Sequence, residues 1–197
     1  MAWGLYATIA VSIVALLTSM IILARELLGS DLDATLNSHP LDVQIHYPSD
    51  WSMAQAATPI LDGPTANMAI LSDQAVPPDG PYDSAKLVIA VQQVDPLAMF
   101  KMPLRCQIEI RSGPAAAFDC MRKSGYITPK YNAFTSDHFE GAVKLPGKYP
   151  PTPAARPMVL LPLNQDTWIA VLVLHTDGYD QPDDMLNAIA QAIQPLP

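Results

Sequence analysis

The sequence predicts an α+β protein. An N-terminal single transmembrane helix comes first, then one domain with a mostly antiparallel sheet and a C-terminal helix packed on it. Three observations carry this reading. Residues 2–24 hold no charged side chain. Beyond residue 42, apolar runs of strand length recur between proline and glycine turns. From Pro182 onward the apolar spacing becomes helical.

The elements follow in order. Residues 1–25 are long enough, at about 1.5 Å rise per residue, to cross a hydrocarbon core of about 30 Å. Trp3 and Tyr6 suit one interface, and Arg25 suits the other by extending its charge toward water. A cleaved signal peptide is the rival reading, but its apolar region is shorter and follows a charged stretch. Gly4, Thr8, Ser12, Ala15 and Ser19 recur at spacings of four and three, a stripe of small residues on which a partner helix can pack closely. Small residues are common in membrane helices, so a plain lipid anchor stands beside that reading. Residues 26–42 read as a polar connector and residues 43–197 as an extracytoplasmic globular domain.

Within the domain, Val43–Tyr47 alternates as a strand and Pro48 ends it. Residues 49–65 hold Trp51 and an Ala-rich piece expected to make a helical turn or two. Residues 66–72 are a strand, and 86–94 are a central one, being apolar nearly throughout. A short helix is expected within 95–103. Residues 138–145 read as a half-buried strand. Residues 158–163 and 167–176 form a hairpin, with Pro162 suggesting an edge or a bulge. In the last helix, Pro182 suits the first turn and Asp183 and Asp184 suit its positive end.

Cys106 and Cys120 flank a Ser112-Gly113-Pro114 turn signal. Read as strands 105–111 and 117–122 folding back on each other, the segment brings the two sulfurs together as a disulfide. Two independent buried thiols are the alternative. The spacing fits no zinc or redox motif. A disulfide places the domain in an oxidising compartment, hence with the N-terminus cytoplasmic and the domain outside.

Composition excludes some functions. The chain has 197 residues, 50% apolar and 15% charged, with a formal net charge of −8. No run of Lys and Arg occurs, so a phosphate-neutralising surface for nucleic acid is not expected. Anionic lipid headgroups are expected to repel so acidic a domain. No nucleophile elbow, phosphate loop, dinucleotide fingerprint or zinc-protease motif is present. His39, His46, His138 and His175 are scattered, although His46 and His175 fall on expected strands. The acidic pairs Asp79/Asp83, Asp177/Asp180 and Asp183/Asp184 read as turn residues and helix N-terminal charge before they read as a calcium site. No catalytic residue, metal or cofactor is therefore expected.

The early strand ending in Tyr47-Pro48, with Trp51 following, resembles the start of PsbP-like domains. The strand 168–176 and the helix after it are similar to that family's close. The resemblance covers both ends of the domain and is vague between residues 73 and 157. It implies an α/β/α sandwich and a binding or assembly role rather than an enzymatic one. The departure is the apolar N-terminus, since members carry a cleaved or lipid-bearing leader. The function expected is a non-catalytic single-pass accessory subunit of a larger membrane complex, whose partners are integral membrane proteins. An independent membrane-anchored ligand- or lipid-binding module is the alternative.

Overall fold

The computed structural model describes residues 32–56, 58–61, 63, 67–147 and 157–197. The fold is mostly sheet, α+β, with antiparallel sheets. This corrects the expectation of a transmembrane helix as the first element of the fold: among the described residues, no helix is long and apolar enough to cross a membrane. Residues 1–25, with the stripe Gly4, Thr8, Ser12, Ala15 and Ser19, lie outside the described residues.

Ten strands and three α-helices follow in the described residues. They are β1 (Ala34–Ser38), β2 (Val43–Tyr47), β3 (Ser52–Ala56), β4 (Met68–Ser72), β5 (Leu87–Val94), α1 (Pro96–Phe100), α2 (Pro114–Lys123), β6 (Asn132–Ala133), β7 (Val143–Leu145), β8 (Met158–Pro162), β9 (Trp168–Thr176), α3 (Pro182–Ala192) and β10 (Gln194–Pro195). A 3-10 helix, Leu104–Ser112, precedes α2. A seven-stranded sheet runs in the order β3-β4-β5-β9-β8-β7-β6, and a small one in the order β1-β2-β10.

Strand β5 is interior, beside the middle strand β9, and all eight of its residues are buried. Its even-numbered side chains Val88, Ala90 and Val94 join one core, beneath α1, the 3-10 helix and α2. The odd ones, Leu87, Ile89 and Val91, join a second core beneath α3 and the small sheet. The sheet is thus covered on both faces, which is why β5 reads as a continuous apolar run. Each large apolar side chain so buried contributes about 1.5–3 kcal/mol.

Two glutamines interrupt that run, and each ties a different layer to the sheet. Gln92 is fully buried. Its Oε1 accepts the N–H groups of Ile60 and Leu61 at 3.0 and 3.2 Å, and its Nε2 donates to the Leu61 carbonyl at 2.9 Å. Gln93 points the other way and donates to the Leu41 carbonyl at 2.9 Å, fastening the small sheet. Gly63 crosses β5 so closely that a Cβ there would lie 2.2 Å from the Gln93 carbonyl oxygen.

Several expected elements are corrected. The Ala-rich piece after Trp51 is strand β3, not a helical turn; its alternate burial pairs it along β4. The segment read as a connector contains β1, which pairs in full register with β2. Strand 138–145 shrinks to β7, because Gly141 takes φ +77° and turns the chain. Pro162 marks neither an edge nor a bulge. It is the last residue of an interior strand, opposite Trp168, where pairing ends. The bulge lies instead in β9 opposite Val88 and Ile89. Trp51 is 8% exposed and meets the Tyr179 ring edge-on at 6.2 Å, so it packs in the second core.

Candidate functional site

The two-stranded hairpin expected around the cysteines is helical. Pro114 occupies the first turn of α2, where its missing N–H is no loss, and three alanines follow it. Pro103 leads into the 3-10 helix, which ends at Gly113 with φ +93°. The disulfide Cys106–Cys120 nevertheless forms, with Cα atoms 5.6 Å apart. It joins one helix to the next rather than one strand to another.

The inner face of this unit is firmly seated. Phe118 of α2 meets Phe100 at 4.9 Å and Trp168 at 6.0 Å, both edge-on. The indole Nε1–H of Trp168 donates to the Ile110 carbonyl at 3.4 Å. Cys106, Ile110, Ala117, Phe118 and Met121 are buried against the sheet.

The outer face is unusual. Leu104 is 84% exposed, Ile108 69% and Ile127 93%, with Tyr126 also exposed. Leu104 and Ile108 lie on the 3-10 helix, and Tyr126 and Ile127 on the segment that follows α2. Arg105, between Leu104 and Cys106, donates to the Ser124 carbonyl at 2.8 Å and stacks 5.7 Å from the Tyr126 ring centre. It therefore holds the loop bearing Tyr126 and Ile127 beside the 3-10 helix. Isolated apolar residues on a surface need no explanation; a group held in place by a disulfide and an arginine is the candidate surface of this chain.

Charge is concentrated on the same unit. Residues 101–130 hold six of the chain's eleven basic residues, Lys101, Arg105, Arg111, Arg122, Lys123 and Lys130, against two acids, Glu109 and Asp119. All six basic residues are exposed. The segment thus carries four net positive charges in a chain of −8. No basic run is visible in the sequence because these residues are spread over thirty positions; the layer of α1, the 3-10 helix and α2 collects them. Asp119 is engaged locally. It accepts from Arg122 at 2.7 Å and from the Tyr131 hydroxyl. Burial, reinforced by that carboxylate, holds the Tyr131 hydroxyl's pKa above the ordinary tyrosine value. Beside it, Glu109, Ala116, Asp119, Cys120, Lys123 and Ser124 line an open cleft of about 430 Å³.

The other expected candidates are placed as follows. His46 on β2 contacts Thr35 and Gln44, at 3.2 and 3.3 Å. His175 lies on β9 in the other sheet, with Nε2 buried and lacking a hydrogen-bond partner. Asp73 accepts from the N–H groups of Lys86 and Leu87, and Asp95 caps α1. Asp183 and Asp184 sit in the first turn of α3, where Lys144 meets Asp183 at 3.1 Å. Among the described residues, no three of His, Cys, Asp and Glu converge on a position for a metal ion.

Nothing in the sequence marks Leu104, Ile108, Tyr126 and Ile127 as exposed. As a strand, 105–111 would turn Cys106, Ile108 and Ile110 to one buried side. The 3-10 winding, with about three residues per turn, rotates Ile108 away from Cys106 and into solvent. Compared by sequence with known proteins, the chain matches no family model and no curated protein.

Proposed function

We propose that this chain is a non-catalytic accessory subunit at a membrane, acting through surface contact on the extracytoplasmic side. Integral membrane proteins are its partners. The observation that carries this reading is the exposed group Leu104, Ile108, Tyr126 and Ile127, fixed by the Cys106–Cys120 disulfide and Arg105. Leaving such residues in water forgoes about 1.5–3 kcal/mol each, a loss that burial against another surface at the membrane recovers. The resemblance carried by Tyr47, Pro48 and Trp51 to PsbP-like domains, whose members act mostly as binding or assembly modules, supports the same reading.

The test is purification of the tagged full chain from its native membrane in mild detergent, with mass spectrometry of what stays bound. A set of membrane proteins in fixed ratio is the expected result. A chain that purifies alone would overturn the accessory-subunit reading and turn attention to an independent anchored module.

A further inference from the structure

The accessory-subunit reading leaves open what the exposed group touches. We propose that the outer face of the 3-10 helix and α2 docks on an anionic phospholipid surface, with Leu104, Ile108, Tyr126 and Ile127 entering the interface and the surrounding Arg and Lys side chains meeting lipid phosphates. This inference rests on the proposed membrane-side placement and adds the contact itself.

Three features favour a bilayer as occupant. The first is chemical form. The side chains are 69–93% exposed at Ile108, Leu104 and Ile127. They stand out from the 3-10 helix and the following loop, and none of them lines the cleft beside α2, so they suit a soft surface that closes around them. Apolar side chains bordered by Lys and Arg form the pattern by which amphipathic helices lie in a membrane interface.

The second is charge complementarity. The segment's net charge of four positive is opposite in sign to an anionic bilayer, while the rest of the chain is strongly acidic. Across the sheet, Asp177, Asp180, Asp183 and Asp184 lie on and before α3. Opposite signs on opposite layers give the domain a direction: attraction at the helical layer, repulsion at the α3 layer. The expectation that anionic lipid repels this domain treated net charge as uniform, and its distribution reverses the conclusion for this face.

The third is the character of the cations. Lys101, Arg111 and Lys123 are exposed, and Arg105 keeps its fork near Tyr126, a ring suited to the headgroup level. Diffuse cations around apolar tips suit a field of phosphates, which asks for no fixed hydrogen-bond geometry.

The experiment uses the full chain with an environment-sensitive NBD dye on I127C, and separately on Q191C at the exposed outer side of α3. Each is mixed with vesicles of phosphatidylcholine alone, or of phosphatidylcholine with phosphatidylglycerol. Attachment of the chain to each kind of vesicle is measured separately by flotation, so the dye reports the patch and not attachment. The expected result is a blue-shifted, brighter dye at position 127 only with phosphatidylglycerol, reversed by high salt, and no response at 191. R105E and K123E are each expected to lower the anionic-lipid response by five-fold or more, since one surface cation contributes roughly five-fold in partition. A dye at 127 that responds equally to both vesicles, that is unmoved by either, or that is shielded before vesicles are added would overturn the inference. So would an equal response at 191. If the dye at 127 instead shifts only in the detergent-purified native assembly, the contact is protein and the lipid inference falls, while the accessory-subunit reading stands.

Discussion

Replacing Gln92 by leucine tests how the 60–61 segment is tied to the sheet. The side chain is fully buried and makes three bonds to the 60–61 backbone, at 3.0, 3.2 and 2.9 Å. Leucine is close in size, so cavity formation contributes little. The three bonds are worth about 1 kcal/mol net each. Ile60 is 41% exposed, so its freed N–H finds water. Leu61 is 4% exposed, so its N–H and carbonyl are left buried and unpaired. Each such group costs about 1–3 kcal/mol. Leucine recovers part of this by its apolar transfer, about 1–2 kcal/mol. The net expectation is a destabilisation of about 2–4 kcal/mol.

The assay is urea unfolding followed by near-ultraviolet circular dichroism, with amide exchange at Leu61 as the local readout. At a slope of about 1–3 kcal/mol/M, the midpoint falls by about 1–2 M. The Leu61 amide should exchange faster at urea concentrations well below the midpoint. Q93L supplies the comparison: it removes one bond, to Leu41, and should cost less. A midpoint change under about 0.5 M with Leu61 exchange unaltered would refute the reasoning, because the loop would then be held by something other than Gln92.

Two further outcomes are expected. Replacing both Cys106 and Cys120 by serine frees a loop closed at a separation of 14 residues, and stability should fall by about 3 kcal/mol on the chain-entropy account; a thermal midpoint unchanged by the double substitution or by reductant would contradict it. Burial first, then Asp119, raises the Tyr131 pKa above 10.0. The unfolded chain therefore loses this proton before the folded one does, so the associated stability is intact below pH 10.0 and is lost as pH rises through the folded value. Y131F should blunt the alkaline fall in thermal midpoint only in part, since Tyr82 and Tyr179 are raised by burial as well; an identical alkaline profile would refute it.

The legible parts of the fold are those where one period dominates. Strands β2, β5 and β9 and helix α3 are readable because apolar residues alternate, run continuously or recur at helical spacing. The 3-10 helix was not, because Cys106, Ile108 and Ile110 also satisfy a two-residue period, and only Pro103 and Pro114 distinguish the outcomes. Strand β1 was missed because its outward residues are polar and its pairing with β2 is tertiary information. The disulfide was readable from the spacing of two cysteines, although the local structure joining them was not. The candidate surface was invisible for a related reason: its members are defined by being exposed, and exposure depends on the winding of the 3-10 helix.

The placement of chemistry follows from the sheet. Both faces of β5 and β9 are committed to packing, so neither can present functional groups to solvent except at strand ends. Among the described residues, groups available for recognition therefore lie on the two outer layers, at strand ends or in loops. The α3 layer is acidic at its helix N-terminus, where those charges already serve the helix dipole and the Lys144 contact. The opposite layer carries basic residues and uncovered apolar ones that no internal contact requires, and it alone is braced by a disulfide. A covalent tie contributes nothing to apolar burial at Leu104, Ile108 or Ile127; it keeps them in fixed relation to one another while they remain in water. That is the arrangement needed by a surface that must meet its partner already formed.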